Sequence, residues 1–243
     1  MIVLLTDFGE SEYVGAMKGV ILSISPAAQI VDLTHSISPQ SVREGAWVLL
    51  QNYQLFPRDA IFVCVVDPGV GTDRDAVLVD TTNYMFIGPD NGLMYPAIMQ
   101  DGIKQTFSLS IDENASNTFH GRDVFAVTAA NLERRVVGRH LGPYKNALDN
   151  EISFYQEGRE GEVVRIDRFG NIVTNIPPTD TGPVKIRTND SELDSVHCRT
   201  YSEGPEDGIF VVTGSSNTLE ISTQNGRAID ILLLRIGDRL IIE

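Results

Sequence analysis

The sequence predicts an α/β fold followed by a second, smaller and mostly β part. Over the first ~150 residues short apolar runs alternate with helical patterns, the signature of a sheet flanked by helices. After Gly161 the pattern changes to short alternating segments set apart by Gly, Asn, Asp and Pro, which is how a small barrel or sandwich reads. At 243 residues the chain can hold one large domain or two modest ones without covalent staples.

The first strand is Ile2–Leu5, ending at Thr6-Asp7-Phe8-Gly9. Val14, Met17, Ile21 and Ile24 then recur at steps of three and four behind a Ser11 cap, so a helix follows. Ile30-Val31 is a short second strand leading into Asp32-Leu33-Thr34-His35. Ser41-Val42-Arg43-Glu44 has the form of a capping box, opening a helix that runs to about Leu55 and is closed by Pro57. Ile61–Val66 is apolar throughout, as a strand covered on both faces should be. Strands over Ala76–Val79 and Tyr84–Ile87 precede the turn Gly88-Pro89-Asp90-Asn91-Gly92, and a helix from about Asp123 to Leu132 places His120 just before its N-terminus.

In the second part, strands are expected at Glu162–Asp167, Ile172–Ile176, Val184–Arg187, Ser195–Tyr201, Ile209–Thr213, Leu219–Ser222 and Leu240–Glu243. The polar stretch Asp149–Gly161 contains Gly158 and Gly161 and marks the boundary. No internal repeat and no low-complexity tract interrupts the pattern.

The formal charge is −14, from 33 acidic and 19 basic residues. That field repels phosphate backbones and anionic membranes, so neither nucleic acid nor membrane is the expected partner, and a cationic small molecule is favoured. No segment reaches the ~20 apolar residues that cross a bilayer. The opening Met-Ile-Val-Leu-Leu-Thr-Asp has no basic region and too short an apolar run for a signal peptide. Cys64 and Cys198 lie far apart in separate apolar runs, with neither a disulfide framework nor a Cys-x-x-Cys pair, and a reducing cytoplasm fits them.

Common chemical motifs fail. Gly69-Val70-Gly71 is followed by Arg74 where a dinucleotide fingerprint has its third glycine, and no Gly-Lys-Ser/Thr ending follows. There is no His-Glu-x-x-His and no Gly-x-Ser-x-Gly. His35, His120, His140 and His197 are scattered without metal-ligand spacing, so no metal is expected.

The remaining candidates each have a structural and a chemical reading. Asp7, at the end of the first strand, is placed to accept from the two hydroxyls of a ribose, and equally to fix its own turn. Asp67 in Asp67-Pro68-Gly69-Val70-Gly71-Thr72-Asp73-Arg74 is a turn former or a site carboxylate, and Arg74 a surface ion-pair partner or a site cation. His120, in His120-Gly121-Arg122-Asp123, is a helix cap or an acid–base group. Asp167-Arg168-Phe169-Gly170-Asn171 reads as a hairpin turn, and Phe169 with Asn171 also offers a stacking face and an amide to a heteroaromatic base. Ser215-Ser216-Asn217 and Gln224-Asn225-Gly226 are ordinary turn chemistry.

Taken together, five segments resemble the S-adenosylmethionine hydroxide adenosyltransferases, relatives of the fluorinase and chlorinase enzymes. They are Leu5-Thr6-Asp7-Phe8-Gly9, Asp67–Thr72 with Arg74, Gly88-Pro89-Asp90-Asn91-Gly92, Phe119-His120-Gly121-Arg122-Asp123 and Asp167–Asn171, and they span both halves in the family's order. The resemblance implies a Rossmann-like α/β sandwich domain over residues 1–155 and a β-barrel over 160–243. It also implies a homotrimer with active sites at subunit interfaces, and a reaction in which water displaces methionine from the ribose 5′-carbon of S-adenosylmethionine. The cofactor-like molecule is then the substrate, and no cofactor is expected.

Carried over by motif, Asp67, Arg74 and His120 form the hydrolases' triad, and Asp7 is the ribose carboxylate. Asp167, Phe169 and Asn171 fall where the methionine end and adenine are held, with Ser216, Asn217 and Ala228 at the further adenine contacts. The halogenases carry Tyr where this chain has Asp67. Gly121 stands at the fluorinase's halide-contacting Ser, though the chlorinase is similar to this chain there. Gln40 follows Pro39 where the fluorinase has a stacking Trp. The competing readings are a chloride-using halogenase, marked by Tyr in place of Asp67, and a binding protein for S-adenosylmethionine or adenosine, which would not need the triad.

Overall fold

The computed structural model describes residues 1–136 and 141–243; His140, one of the four scattered histidines, lies outside the described residues. Two compact units divide the chain, Met1–Ile152 and Ser153–Glu243.

The first unit carries a seven-stranded sheet in the order β2-β1-β3-β5-β4-β6-β7. Its strands are β1 (Ile2–Thr6), β2 (Ile30–Thr34), β3 (Ile61–Val65), β4 (Ala76–Thr81), β5 (Met85–Pro89), β6 (Ile103–Leu109) and β7 (Leu141–Tyr144). β1 pairs in parallel with β2 and with β3, and β3 with β5. β4, β6 and β7 add antiparallel partners. Parallel neighbours need a long crossover, and α1 (Glu12–Ile24) and α2 (Val42–Asn52) supply the first two.

Alternation along each strand sends side chains to opposite faces. Val3, Leu5, Phe62 and Cys64 pack with Val48 and Leu49 of α2 and with Ala97 and Ile98 of α3 (Tyr95–Asp101). Ile2, Leu4, Ile61 and Val63 pack on the other face with Met17 and Ile21 of α1 and Ala129 and Ala130 of α4 (Val127–Glu133). Two buried layers therefore account for the uninterrupted apolar run of β3.

Both expected N-caps are absent as side-chain caps. Ser11 turns back to donate to the Phe8 carbonyl (2.7 Å), and Ser41 makes no cap bond. Glu44 instead accepts from the Ser38 amide (3.0 Å), tying the preceding loop rather than Ser41. The expected helix near Asp123 begins earlier, with a π-helical turn over Gly121–Ala126 that runs into α4 and has His120 as its N-cap.

The second unit is a closed barrel ordered β10-β11-β12-β13-β9-β8-β14. Its strands are β8 (Glu160–Ile166), β9 (Ile172–Thr174), β10 (Gly182–Arg187), β11 (Glu192–Cys198), β12 (Phe210–Thr213), β13 (Leu219–Ser222) and β14 (Arg239–Ile242). All pairs are antiparallel except β11 with β12. β10 closes on β14 and leaves no free edge. Val163, Ile172, Ile186, Val211, Ile221 and Leu240 form its core, with Ala228 at the start of α5 (Ala228–Leu232) buried among them.

Among the described residues no helix is long and apolar enough to cross a membrane.

Candidate active site

β1 has β2 on one side and β3 on the other, so the winding of the sheet reverses beside it. The crevice past the strand ends at such a reversal is where open α/β sheets bind ligands. Thr6 lies opposite Val65 in the β1–β3 register, and the next residues of the two strands carry the candidates. Asp7 is the first residue beyond β1, and Asp67 the second beyond β3.

The loop after β3 folds back on itself. Val70 donates to the Asp67 carbonyl (3.2 Å) and Thr72 to that of Gly69 (3.1 Å). Gly71 has φ +78°, and a Cβ there would sit 2.3 Å from the Asn117 carbonyl oxygen, so this turn requires glycine. The reversal lays Arg74 across Asp67. Its Nε donates to Asp67 Oδ1 (2.9 Å), and its Nη2 makes a second, short bond to Oδ2. The side chains are 5 % exposed for Asp67 and 9 % for Arg74, an ion pair in the bidentate geometry that burial requires.

Arg74 Nη2 also lies 2.9 Å from His120 Nδ1. Every guanidinium nitrogen is a donor, so Nδ1 must accept and the ring proton resides on Nε2. Burial first, and the Arg74 charge second, lower the pKa of His120. The geometry and the electrostatics agree on a neutral imidazole. One further guanidinium nitrogen, Arg74 Nη1, is buried without an acceptor among the described residues. The structure thus brings Asp67, Arg74 and His120 into one contact group, from residues 53 positions apart at the extremes (120 − 67).

A cavity of about 410 Å³ opens above them, lined by Asp7, Gln40, Asp67 and His120 on its polar side. Phe8, Tyr13 and Phe119 form an aromatic collar on it, with edge-on contacts at centroid distances of 5.0 to 5.8 Å. This volume suits a small organic ligand. Arg74 is not among the lining residues; it stands behind Asp67 and His120.

Asp7 Oδ2 accepts from the Gln40 amide (2.7 Å). Gln40 holds φ +65°, a left-handed conformation uncommon for a residue with a side chain. Asp7 therefore does fix a turn, though the turn of the neighbouring loop rather than its own. The same residue lines the cavity. His35 knits the same loops, through Thr6 Oγ1 to Nδ1 (2.9 Å) and its carbonyl to the Gly9 amide (2.8 Å).

In the barrel unit, Asp167 and Asn171 satisfy each other. Asp167 Oδ1 accepts from the Phe169 and Asn171 amides, and Oδ2 from Asn171 Nδ2, each at 2.9 Å. The hairpin reading of this turn is what the side chains display within the unit. Phe169 is left 61 % exposed with Arg168 stacked on it at 4.6 Å. The turn packs on the start of α5, where the Ile229 amide donates to the Gly170 carbonyl (3.1 Å). Ala228 is buried in the barrel core, so a contact from it to a ligand would come from its backbone. Ser216 and Asn217 lie in a separate turn, in which Asn217 has φ +56° and donates to the Gly214 carbonyl (3.0 Å).

The aromatic collar was not singled out from the sequence. Phe8 and Phe119 each adjoin a motif residue, which was a usable signal; Tyr13, the second residue of α1, gave none.

Residues 2–142 match the SAM hydroxide adenosyltransferase N-terminal domain, and residues 161–241 the C-terminal domain of the same family. The chain is 34 % identical to an (R)-S-adenosyl-L-methionine hydrolase of Salinispora arenicola over 97 % of its own length and 94 % of that protein. It is 37 % identical to a protein of the same name from Methanocaldococcus jannaschii, over 91 % and 88 %. A fluorinase of Nocardia brasiliensis shares 28 % identity over 74 % of this chain and 72 % of its own. The fold superimposes on an uncharacterized conserved protein from Thermotoga maritima with a TM-score of 0.90 at 32 % identity, covering both chains fully.

Proposed function

The chain belongs to the SAM hydroxide adenosyltransferase family, and from that membership we propose that it hydrolyses S-adenosyl-L-methionine to adenosine and L-methionine. The observation that carries the reading is the Asp67 carboxylate on the cavity wall, locked by Arg74 beside a neutral His120. The resemblance places Tyr at that position in the halogenating relatives, so the carboxylate favours water over halide as the nucleophile.

A sulfonium departs as a neutral thioether, so leaving-group departure needs no acid. The oxygen of water forms the new bond to the ribose 5′-carbon as the carbon–sulfur bond breaks, its electron pair going to sulfur. The difficulty lies with the nucleophile. Free hydroxide at pH 7 costs roughly 12 kcal/mol, from a gap of about 8.7 pKa units between water and the solution. A carboxylate paired with a guanidinium is too weak a base to close that gap outright.

Holding the water in line at near-attack distance contributes ~7–11 kcal/mol. In this reading Asp67 and His120 orient one water, and the water's proton leaves late, toward the Asp67 carboxylate. Arg74, from behind, fixes both groups and supplies positive charge as hydroxide character develops. Asp7 accepts from the ribose hydroxyls with the oxygen that Gln40 does not hold. The aromatic collar excludes bulk water. Asp167, Phe169, Asn171, Ser216, Asn217 and Ala228 hold the methionine end and the adenine, supported by the exposed Phe169 ring and the shared packing of its turn with the start of α5.

The same proposal includes a homotrimer with active sites at the subunit interfaces, S-adenosylmethionine as substrate with no cofactor or metal, and a cytoplasmic location. The location is supported by two buried, unpaired cysteines suited to a reducing compartment.

The test is incubation with S-adenosylmethionine in ¹⁸O-water, with and without chloride. Label in the 5′-hydroxyl of adenosine is the expected result. Chlorinated adenosine, label only in homoserine-type products, or no turnover would overturn it.

A further inference from the structure

Three carboxylates converge at the far end of the loop that carries Arg74. Asp75, Asp90 and Asp149 bring one oxygen each within 4.8 Å of one another. Such a group resembles a cation site, but the cation is already part of the chain. Lys145 Nζ lies 2.5 Å from Asp75, 2.6 Å from Asp149 and 3.3 Å from Asp90.

The geometry ranks the members by freedom to move. The Asp90 side chain is 2 % exposed and is anchored a second time by the Asp149 amide (2.9 Å). Lys145 is 13 % exposed, and its own amide donates to the Thr106 carbonyl of β6 (2.8 Å). Asp75 is 43 % exposed and is the residue after Arg74. Its carbonyl accepts from the Asp90 amide (2.9 Å). Asp149, four residues on from Lys145, is 61 % exposed. One ammonium thus joins a buried carboxylate to two exposed ones, and of these two Asp75 leads directly into Arg74.

We propose that Lys145 is a positioning residue for the Asp67–Arg74–His120 group, pinning the end of the 67–75 loop through Asp75 so that the Arg74 guanidinium stays on Asp67 and His120. The proposal rests on the reading of Arg74 given above. Without the ammonium, three like charges share a space too small for them. Asp90 is held, so the repulsion is relieved by the two exposed carboxylates, Asp75 and Asp149, moving outward, and Arg74 moves with Asp75. The partners of Lys145 among the described residues, Asp75, Asp90, Asp149 and Thr106, do not line the cavity, so its effect falls on the alignment of the reacting groups rather than on substrate affinity.

The test uses full-length protein with Lys145→Met and Lys145→Arg. The first readout needs no catalysis: His120 is titrated by proton NMR, its resonance assigned by its loss in His120→Gln. Arg74 is one of the two influences that hold the His120 pKa down, so release of Arg74 in Lys145→Met raises the titration midpoint, and Lys145→Arg returns it toward wild type. The second readout is turnover, where kcat falls about tenfold or more while KM moves less than about threefold. If Lys145→Met does not fold, Asp75→Asn leaves Lys145 two carboxylates and frees the same loop end, with the same midpoint shift expected. A variant that folds with an unmoved His120 midpoint overturns the proposal. A shifted midpoint in a protein that never hydrolyses S-adenosylmethionine upholds the positioning and overturns the assigned reaction instead.

Discussion

At the scale of single residues, the candidate site is three side chains whose hydrogen bonds fix one another's state. Arg74 donates to Asp67 and to His120 Nδ1, and that second bond exists only while the imidazole is neutral. Removing the carboxylate charge without changing its shape tests the orientation role. Asp67→Asn should lower kcat by about 10²–10⁴-fold with KM little changed, measured as adenosine release, and full turnover in that variant would contradict the assignment. The pH dependence follows from His120. Burial and Arg74 lower its pKa, outweighing Asp67 and Asp123, which raise it from an ordinary value of 6.5. A depressed pKa means the unfolded chain binds the proton more readily, so this contribution to stability is complete above pH 6.5 and is lost as pH falls through the folded value. Activity should follow: kcat/KM level through neutrality, with an acid limb centred below 6.5. A limb centred above 6.5 would mean that the imidazole is not held neutral by this contact. All three residues were legible in the sequence with a structural use beside the chemical one, Asp67 as a turn former, Arg74 as a surface ion-pair partner and His120 as a helix cap; only contact geometry separates those uses, because the same Asp in a strand-end loop serves either.

At the scale of elements, what places the triad is a loop and a turn rather than a strand or helix. The 67–75 loop closes over the backbone of Asn117, and Gly71 makes that approach possible. Gly71→Ala combines a positive φ with a Cβ too near a carbonyl oxygen, and backbone strain of this kind costs on the order of 1–3 kcal/mol. Denaturant unfolding should register that loss. Turnover should fall further than stability, since the strain is released by opening the loop that holds Arg74; a variant as active and as stable as wild type would show that the approach is not needed. The helices and strands that pack on both faces were readable from apolar spacing, and β3 most plainly. α3, β6, β7 and α5 were not. β6 begins with exposed Ile103, Lys104 and Gln105 and so has no apolar run to mark it, and α3 has seven residues with Pro96 near its start. Neither N-cap serine caps its helix, because the side chains meet a nearer loop partner or none, and a local motif does not encode the tertiary loop that competes for it.

At the scale of the whole molecule, the residues proposed to hold the substrate are divided between two units, and a homotrimer with shared sites makes a quantitative prediction. Phe169→Ala removes an exposed ring and leaves the Asp167–Asn171 turn bonds intact, so it should fold normally while impairing the barrel's share of the site. Asp67→Asn impairs the share of the first unit. Each variant alone is expected to be nearly inactive at low substrate concentration. If each site takes its triad from one subunit and its barrel residues from the next, subunits mixed at equal proportion and reassembled have sound partners at about a quarter of their sites, one half multiplied by one half, because cyclic assembly joins neighbours at random. Activity near a quarter of wild type should therefore appear on mixing. If each site were built within one subunit, every site in the mixture would still carry one defect and no activity would return. The mass of the assembly in solution, measured on the same samples, separates failure to reassemble from failure to share, since a mixture that reaches trimer mass and stays inactive rules out the shared site.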